Sequence, residues 1–335
     1  MILADIARAL EGRVRGRLKR ELELASFTTY RLGGPAALYF EPADVEDVSA
    51  FAAGLSEETG ALRDVPILVL GRGSNLVISD RGWPGIVIRL GASFSWIRGG
   101  DPLSEERAKY VPARADGPML YEMKTGASTA LPQLANWAAR RSLAGMEFMV
   151  AIPGSVGGAV RMNAGAHERE IGDGLAAATI FDVDSLTVTE RPAEELDLAY
   201  RRSNLTEREL VLDATFGLSR EDDGVIRTRM EEYRRHRAET QPGAVQNAGS
   251  VYKNPPGDSA GRLVEAAGLK GFSVGGASVS KLHANFFMAG PRSTSQDVFD
   301  LVHEIRRRVH DHSGVWLEPE IRFAGDFDRS ETGDV

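Results

Sequence analysis

The stretch PILVLGRGSNLVISDRGWPGIVIRL, residues 66–90, decides the fold. Pro66–Leu70 reads as a short buried strand, and Gly71-Arg72-Gly73-Ser74-Asn75 as the turn that leaves it. In a dinucleotide fingerprint a third glycine would follow and a helix would open. Here position 76 is leucine, and the chain continues as two more short β-runs around Gly82-Trp83-Pro84-Gly85. A Rossmann site is therefore disfavoured, and the P-loop pattern with its lysine is absent. The turn can still gather an anion, because glycine permits positive φ and close approach while serine and asparagine add donors. A plain structural turn is the competing reading of this segment taken alone.

Outward from that stretch, strands outnumber helices through the middle of the chain. Helices are predicted over about 44–58, from Leu131 through residue 145, over about 224–239, and from about 293, where Ser293 and Gln296 have capping-box spacing. Val298, Leu301, Val302, Ile305 and Val309 form the apolar face of that last helix. The N-terminal segment MILADIARALEGRVRGRLKREL reads as an amphipathic surface helix, its acidic residues and lack of an apolar core region arguing against a presequence. Strands are expected at ATIFDVD, LTVTERP, LVLDATFGL, ANFFMAG and VWLEPEIRF, and residues 96–117 as an exposed loop or irregular hairpin. The pattern is α+β, not a regular βαβ alternation.

Composition narrows the function. The 335 residues carry 40 basic and 48 acidic side chains, a net charge of −8 with no long basic stripe, which argues against a nucleic-acid binder. Arginine outnumbers lysine 34 to 6, and three of the lysines fall between 253 and 281. No apolar run is long enough to span a membrane, so no membrane insertion and a cytoplasmic location are expected. The absence of cysteine excludes disulfides, thiolate metal sites and a thiol nucleophile. His310 and His312, two apart in a helix, cannot share a metal, and no metal site is expected. Glycine is in surplus, 36 residues against about 23 at ordinary usage. A second dense stretch, IPGSVGGAVRMNAGA at 152–166, lies among apolar residues, as suits backbone placed against a large ligand. Two such loops outside a Rossmann context point to a flavin dinucleotide.

Eight motifs occur in one order: TTYRLGG (28–34), LGRGSNLVISD (70–80), IPGSVGGAVRMNAGAH (152–167), YRRS (200–203), QNAGSVYKNP (246–255), SAGRLVEAAGLKG (259–271), VGGASVSKLHANF (274–286) and LEPEIRF (317–323). Together they resemble the UDP-N-acetylenolpyruvoylglucosamine reductase family over roughly residues 20–326. The short spacing from Lys253-Asn254-Pro255 to Ser259 resembles the shorter of its two classes, whereas 96–117 is longer than the family pattern. The resemblance implies a vanillyl-alcohol-oxidase/PCMH-type FAD-binding domain in two subdomains, 1–84 and 85–222, a C-terminal α+β substrate domain, 223–328, and a tail, 329–335.

It further implies non-covalent FAD, NADPH as reductant, and UDP-N-acetylglucosamine enolpyruvate as the molecule reduced. The cofactor contacts carried over are Tyr30, Arg31, Gly71, Gly73, Ser74, Asn75, Leu76, Ile152, Pro153, Gly154, Ser155, Gly157, Gly158, Asn163, Gly165 and Ala166. His167, next in the chain, is expected to line the flavin site. The implied catalytic residues are Ser250 as proton donor, Arg201 as the grip on the substrate carboxylate, and Glu320, with Glu318 its rival. Arg202 occupies the motif's variable position. Arg237, Lys253 and Asn254 are the implied diphosphate contacts. Eleven motif glycines, about the size of the surplus, are read as backbone cleared for FAD and a nucleotide-sugar. An alcohol or hydroxy-acid oxidase on the same FAD fold, or a non-catalytic nucleotide binder, would not need the complete C-terminal set of motifs.

Overall fold

A computed structural model describes residues 2–59, 65–111, 119–243 and 246–328. The tail at 329–335 and the end of the 96–117 segment lie outside the described residues. The chain divides into two compact units built from interleaved segments. The first comprises 1–19, 38–72 and 86–237; the second comprises 20–37, 73–85 and 238–335.

The first unit is organised by an antiparallel sheet in the order Thr187–Pro192, Leu175–Asp182, Glu209–Arg220, Tyr121–Gly126, Ile97–Pro102, with Leu143–Ala144 added at the end of Glu209–Arg220. Glu209–Arg220 is almost wholly buried, as a central strand covered on both faces must be. Residues 96–117 open with a largely exposed strand, Ile97–Pro102, paired with a register shift to Tyr121–Gly126 as one arm of an irregular hairpin, and continue in a short helix, Glu105–Ala108. A parallel pair, Ile67–Val69 with Ile86–Ile88, carries the strand pattern of the deciding stretch. The N-terminal helix is only Ile2–Leu10. Gly12, at φ +80°, ends it, and the expected helical continuation is instead a strand, Arg17–Glu23. Within those limits the helix is amphipathic as expected: Ile6, Ala7 and Leu10 are buried in the same core as Val48, Phe51 and Leu55 of helix Val45–Thr59, while Asp5 and Arg8 face outward.

The second unit packs helices Ala260–Ala266 and Ser295–Ser313 around a small antiparallel sheet, Ser273–Val274, Ala277–Val279 and Phe287–Ala289. The five predicted apolar residues of the last helix are all fully buried. Its capping box is formed by Thr294 and Asp297, one position later than the spacing from Ser293 suggested, and Asp80 accepts from the amides of Ser295 and Gln296. Two carboxylates at a helix start satisfy its free N–H groups and complement its dipole. Of the expected strand VWLEPEIRF only its last two residues lie in a regular strand, Arg322–Ala324, paired in parallel with Leu76–Ile78; Pro319 interrupts the rest.

Candidate active site

In the first unit the two glycine loops meet. A Cβ on Gly71 would stand 2.8 Å from the Ser155 Oγ, so a larger residue there would have to displace that hydroxyl. Ser155 is itself buried and precedes helix Val156–Met162, whose first amides donate to Thr129 and Ala127 carbonyls. That helix stops at Asn163, in the left-handed region at φ +41°. The Asn163 carboxamide donates to Glu170 Oε2 (2.6 Å) and to the Ala199 carbonyl (3.1 Å), and accepts from the Gly172 amide (3.0 Å). Its side chain is committed to the protein, so any cofactor contact at this residue falls to its backbone.

Arg201 stands at a tight turn closed by reciprocal 3.0 Å bonds between Ala199 and Arg202. Its φ is +56°, and its guanidinium donates to the Gly165 carbonyl at 3.0 Å. The Arg201 side chain is thus held against the second glycine loop, whereas Arg202 turns outward to Asp197. Beyond the loop, His167 stacks on Tyr233 at 4.0 Å and meets His236 edge-on. Burial first, then the charges of His236 and Arg237, push the His167 pKa below its ordinary value. Arg237 is half-buried, and among the described residues no hydrogen bond or ion pair offsets that burial, which lowers its pKa. A desolvated cation without a partner is a seat for an anion.

In the second unit four motifs converge through backbone contacts. Thr29 Oγ1 donates to the Asn247 carbonyl (2.6 Å) and to the Gly73 carbonyl (3.2 Å), and its own carbonyl accepts from Gln246. Asn75 Nδ2 donates to the Glu320 carbonyl at 3.0 Å, and its backbone carbonyl accepts from Arg322. Glu320 N donates to the Val251 carbonyl at 2.7 Å and Lys253 N to the Glu318 carbonyl at 2.9 Å. This short ladder sets Glu320 opposite the residue that follows Ser250. Buried Asn285 fixes the other side, bonding both the amide and the carbonyl of Tyr252 while its own carbonyl accepts from Val251. Asn285 and Thr29 were not singled out as site residues in the sequence; both lie within the quoted motifs.

Several expectations change at this level. Glu318 is exposed and forms an ion pair with Lys253 Nζ at 2.6 Å. The same pair leaves Lys253 a neutralised cation. Asn254 Oδ1 accepts from the Ala260 amide at the start of helix Ala260–Ala266. Tyr30 is a core residue, 1% exposed, with its hydroxyl on the Phe287 carbonyl; burial raises its pKa. Arg31, at φ +61°, points outward to the Ser26 carbonyl. The motif glycines mostly serve the protein's own close packing. A Cβ would fall 2.3 Å from the Phe27 carbonyl at Gly73, 2.2 Å from that of Asp80 at Gly34, and 2.4 Å from that of Arg169 at Gly165. Gly249 alone among these four faces open space, beside Ser250.

Residues 36–189 match the family described as a FAD binding domain, a span that holds both glycine loops. Residues 241–324 match the UDP-N-acetylenolpyruvoylglucosamine reductase C-terminal domain. The chain is 38% identical over 316 residues to a UDP-N-acetylenolpyruvoylglucosamine reductase of Erythrobacter litoralis, covering 94% of this chain and 90% of that one. It is 39% identical over 324 residues to the enzyme of the same name from Acidiphilium cryptum, covering 97% and 96%. The crystal structure of the Thermus caldophilus reductase superposes with a TM-score of 0.73 at 34% identity, over 92% of this chain and all of that one.

The chain belongs to the UDP-N-acetylenolpyruvoylglucosamine reductase family.

It is therefore an FAD-dependent oxidoreductase of peptidoglycan precursor synthesis, with the α+β fold of that family. The residues present suit the cofactor: at exposed Gly158, in the second loop, an added Cβ would meet nothing nearer than Ser155 Oγ at 3.6 Å, so bare backbone stands open there. As in any member of this reductase family whose redox carrier is a flavin, no cysteine is needed, and this chain has none. Among the described residues no cluster of His, Asp and Glu is arranged to hold a metal ion, and no helix is long and apolar enough to cross a membrane.

Proposed function

We propose that the chain reduces the enolpyruvyl group of UDP-N-acetylglucosamine enolpyruvate to give UDP-N-acetylmuramate, with NADPH as the reductant, in the cytoplasm. The observation that carries this reading is the hydrogen-bonded convergence of the Asn247-Ala248-Gly249-Ser250 and Glu318-Pro319-Glu320 motifs through Val251 and Asn75. FAD, bound without a covalent link, would supply to C3 of the enolpyruvyl double bond a hydride that NADPH provides.

The chain's own residues then handle charge and protons. Hydride addition at C3 leaves an enolate at C2, conjugated with the substrate carboxylate. The planar fork of the Arg201 guanidinium suits a two-pronged grip on that carboxylate, where it stabilises the growing negative charge. Ser250 donates its hydroxyl proton to C2. An alcohol is an ordinary weak acid, but a carbanion beside it is a far stronger base, so placement decides the step. Glu320, one strand across, returns a proton to the serine or polarises the enol. Arg237 takes the diphosphate, since anion binding relieves the cost of its unpaired burial. Lys253 joins it by exchanging Glu318 for phosphate oxygen, and Asn254 shapes the adjoining turn. The domain division follows the same logic, with FAD-binding subdomains over 1–84 and 85–222 and substrate-binding residues over 223–328.

Purified protein is expected to be yellow and to oxidise NADPH faster when UDP-N-acetylglucosamine enolpyruvate is added. Absence of any stimulation by that substrate overturns the assignment.

A further inference from the structure

The geometry points to Asn163 as a positioning residue for Arg201, acting through the Ala199 carbonyl and not as a cofactor ligand. The inference rests on the role given to Arg201 above. Three observations carry it. The turn that presents Arg201 is a four-residue loop, closed by the Ala199 and Arg202 backbone groups, and such a turn can rock as a unit unless its flanks are tied. It is tied on both sides to one helix end. Asn163 Nδ2 holds the Ala199 carbonyl just before the turn, and Ser203 Oγ donates to the Arg161 carbonyl (2.7 Å) just after it. Arg161 in turn donates to the Leu205, Thr206 and Glu209 carbonyls, fixing the downstream chain to the same helix.

The second observation is that Asn163 is saturated. Both amide hydrogens and the carbonyl are used, the residue is 2% exposed, and each bond reaches a different segment. A buried carboxamide with all partners made is a rigid joint, because every alternative rotamer strands a polar group. The third is the backbone. Asn163 and Arg201 both occupy the left-handed region, and Arg201 donates to Gly165, two residues beyond Asn163. The arginine's own anchor and the joint that sets its turn thus lie on one three-residue segment, so a shift at Asn163 moves both ends of the Arg201 side chain's support.

Asn163→Gly tests this with little backbone strain, since glycine accepts φ +41° freely while deleting the joint. Asn163→Asp keeps the shape and the acceptor for Gly172, loses the donor to Ala199, and sets a second carboxylate against Glu170, which breaks the joint by repulsion as well. In anaerobic stopped-flow on the FAD-loaded enzyme, both variants are expected to reduce flavin with NADPH within about twofold of the parent. Reoxidation by the enolpyruvyl substrate should slow by about ten- to a hundredfold, the scale of a misplaced reacting group. In an Arg201→Lys background the same substitutions should add less than about twofold, because the group they position has already been lost. Equal slowing of both half-reactions, loss of bound FAD in both variants, or a full additional loss on top of Arg201→Lys overturns the inference. If Arg201→Lys itself leaves reoxidation unchanged, the role of Arg201 fails instead, and the two failures are told apart.

Discussion

The two units hold their candidate catalytic residues by different means. In the first, Arg201 and its surroundings depend on unusual backbone. Asn163, His167, Glu168, Asp197 and Arg201 are all non-glycine residues at positive φ, each at a cost on the order of 1 kcal/mol. In the second, Ser250 and Glu320 stand in extended segments joined by ladder bonds, and positive φ next to Ser250 falls to Gly249, with Gln246 the nearby exception. What ties both together is the same device: an asparagine side chain that grips a backbone carbonyl, Asn163 on Ala199 in one unit and Asn75 on Glu320 in the other. Carboxamides suit this task because they donate and accept at once and carry no charge to desolvate. The difference teaches that the proposed gripping arginine is held on strained local backbone, whereas the proposed proton-handling pair is held by strand register.

The largest effect that sharpens this contrast is structural. Gly126→Ala in the first unit would drive a Cβ to 2.1 Å from the Phe94 carbonyl, backbone that cannot yield, so soluble folded protein should be lost. Gly249→Ala in the second unit meets no atom within 4 Å and carries only the penalty of φ +76°, about 1 kcal/mol, so it should fold with a modestly lower Tm. Equal behaviour of the two variants in thermal melts breaks the comparison. Next in size, Arg201→Ala should slow substrate-driven flavin reoxidation by about 10²- to 10³-fold, as for loss of a charge-stabilising donor. Asn75→Ala removes one hydrogen bond to the Glu320 backbone and should cost about tenfold in the same half-reaction. Circular dichroism melts check that neither change acts by unfolding.

The smallest expected effect is on pH. The His167 pKa lies below the ordinary 6.5, chiefly through burial and then through His236 and Arg237. The unfolded chain therefore binds a proton more readily than the folded one, so this contribution to stability is complete above pH 6.5 and fades as pH falls below it. His283 is lowered in the same direction by burial and by Lys270. Tm should decline between pH 7 and pH 5, and His167→Phe, which keeps a ring against Tyr233, should flatten part of that decline. An unchanged slope in the variant removes His167 from the explanation.

Much of this was legible in the chain itself. The missing third glycine after Gly73 and the β-runs beyond it excluded a Rossmann fold, and the order of the motifs identified the family. What escaped was set by contacts distant in sequence. Arg17–Glu23 is rich in good helix formers, yet it is a strand, because intrinsic preference is weaker than tertiary context. The glycines declared that backbone must come close to something, but not to what; at Gly34, Gly73 and Gly165 the neighbour is another carbonyl of the protein. The rivalry of Glu318 and Glu320 could not be resolved by alternation. The Lys253 ammonium pairs with Glu318 from 65 positions away, a contact that alternation does not encode. Thr29 bridges to Asn247 across 218 positions, a separation no local pattern encodes.

Ser250 is the residue on which the proposed proton transfer depends most directly. In the FAD-loaded Ser250→Ala enzyme, reduction of the flavin by NADPH should proceed at the parent rate, while reoxidation by UDP-N-acetylglucosamine enolpyruvate should fall by about 10²- to 10⁴-fold, the range for a lost proton donor. Reoxidation at the parent rate, or an equal fall in both half-reactions, would contradict it.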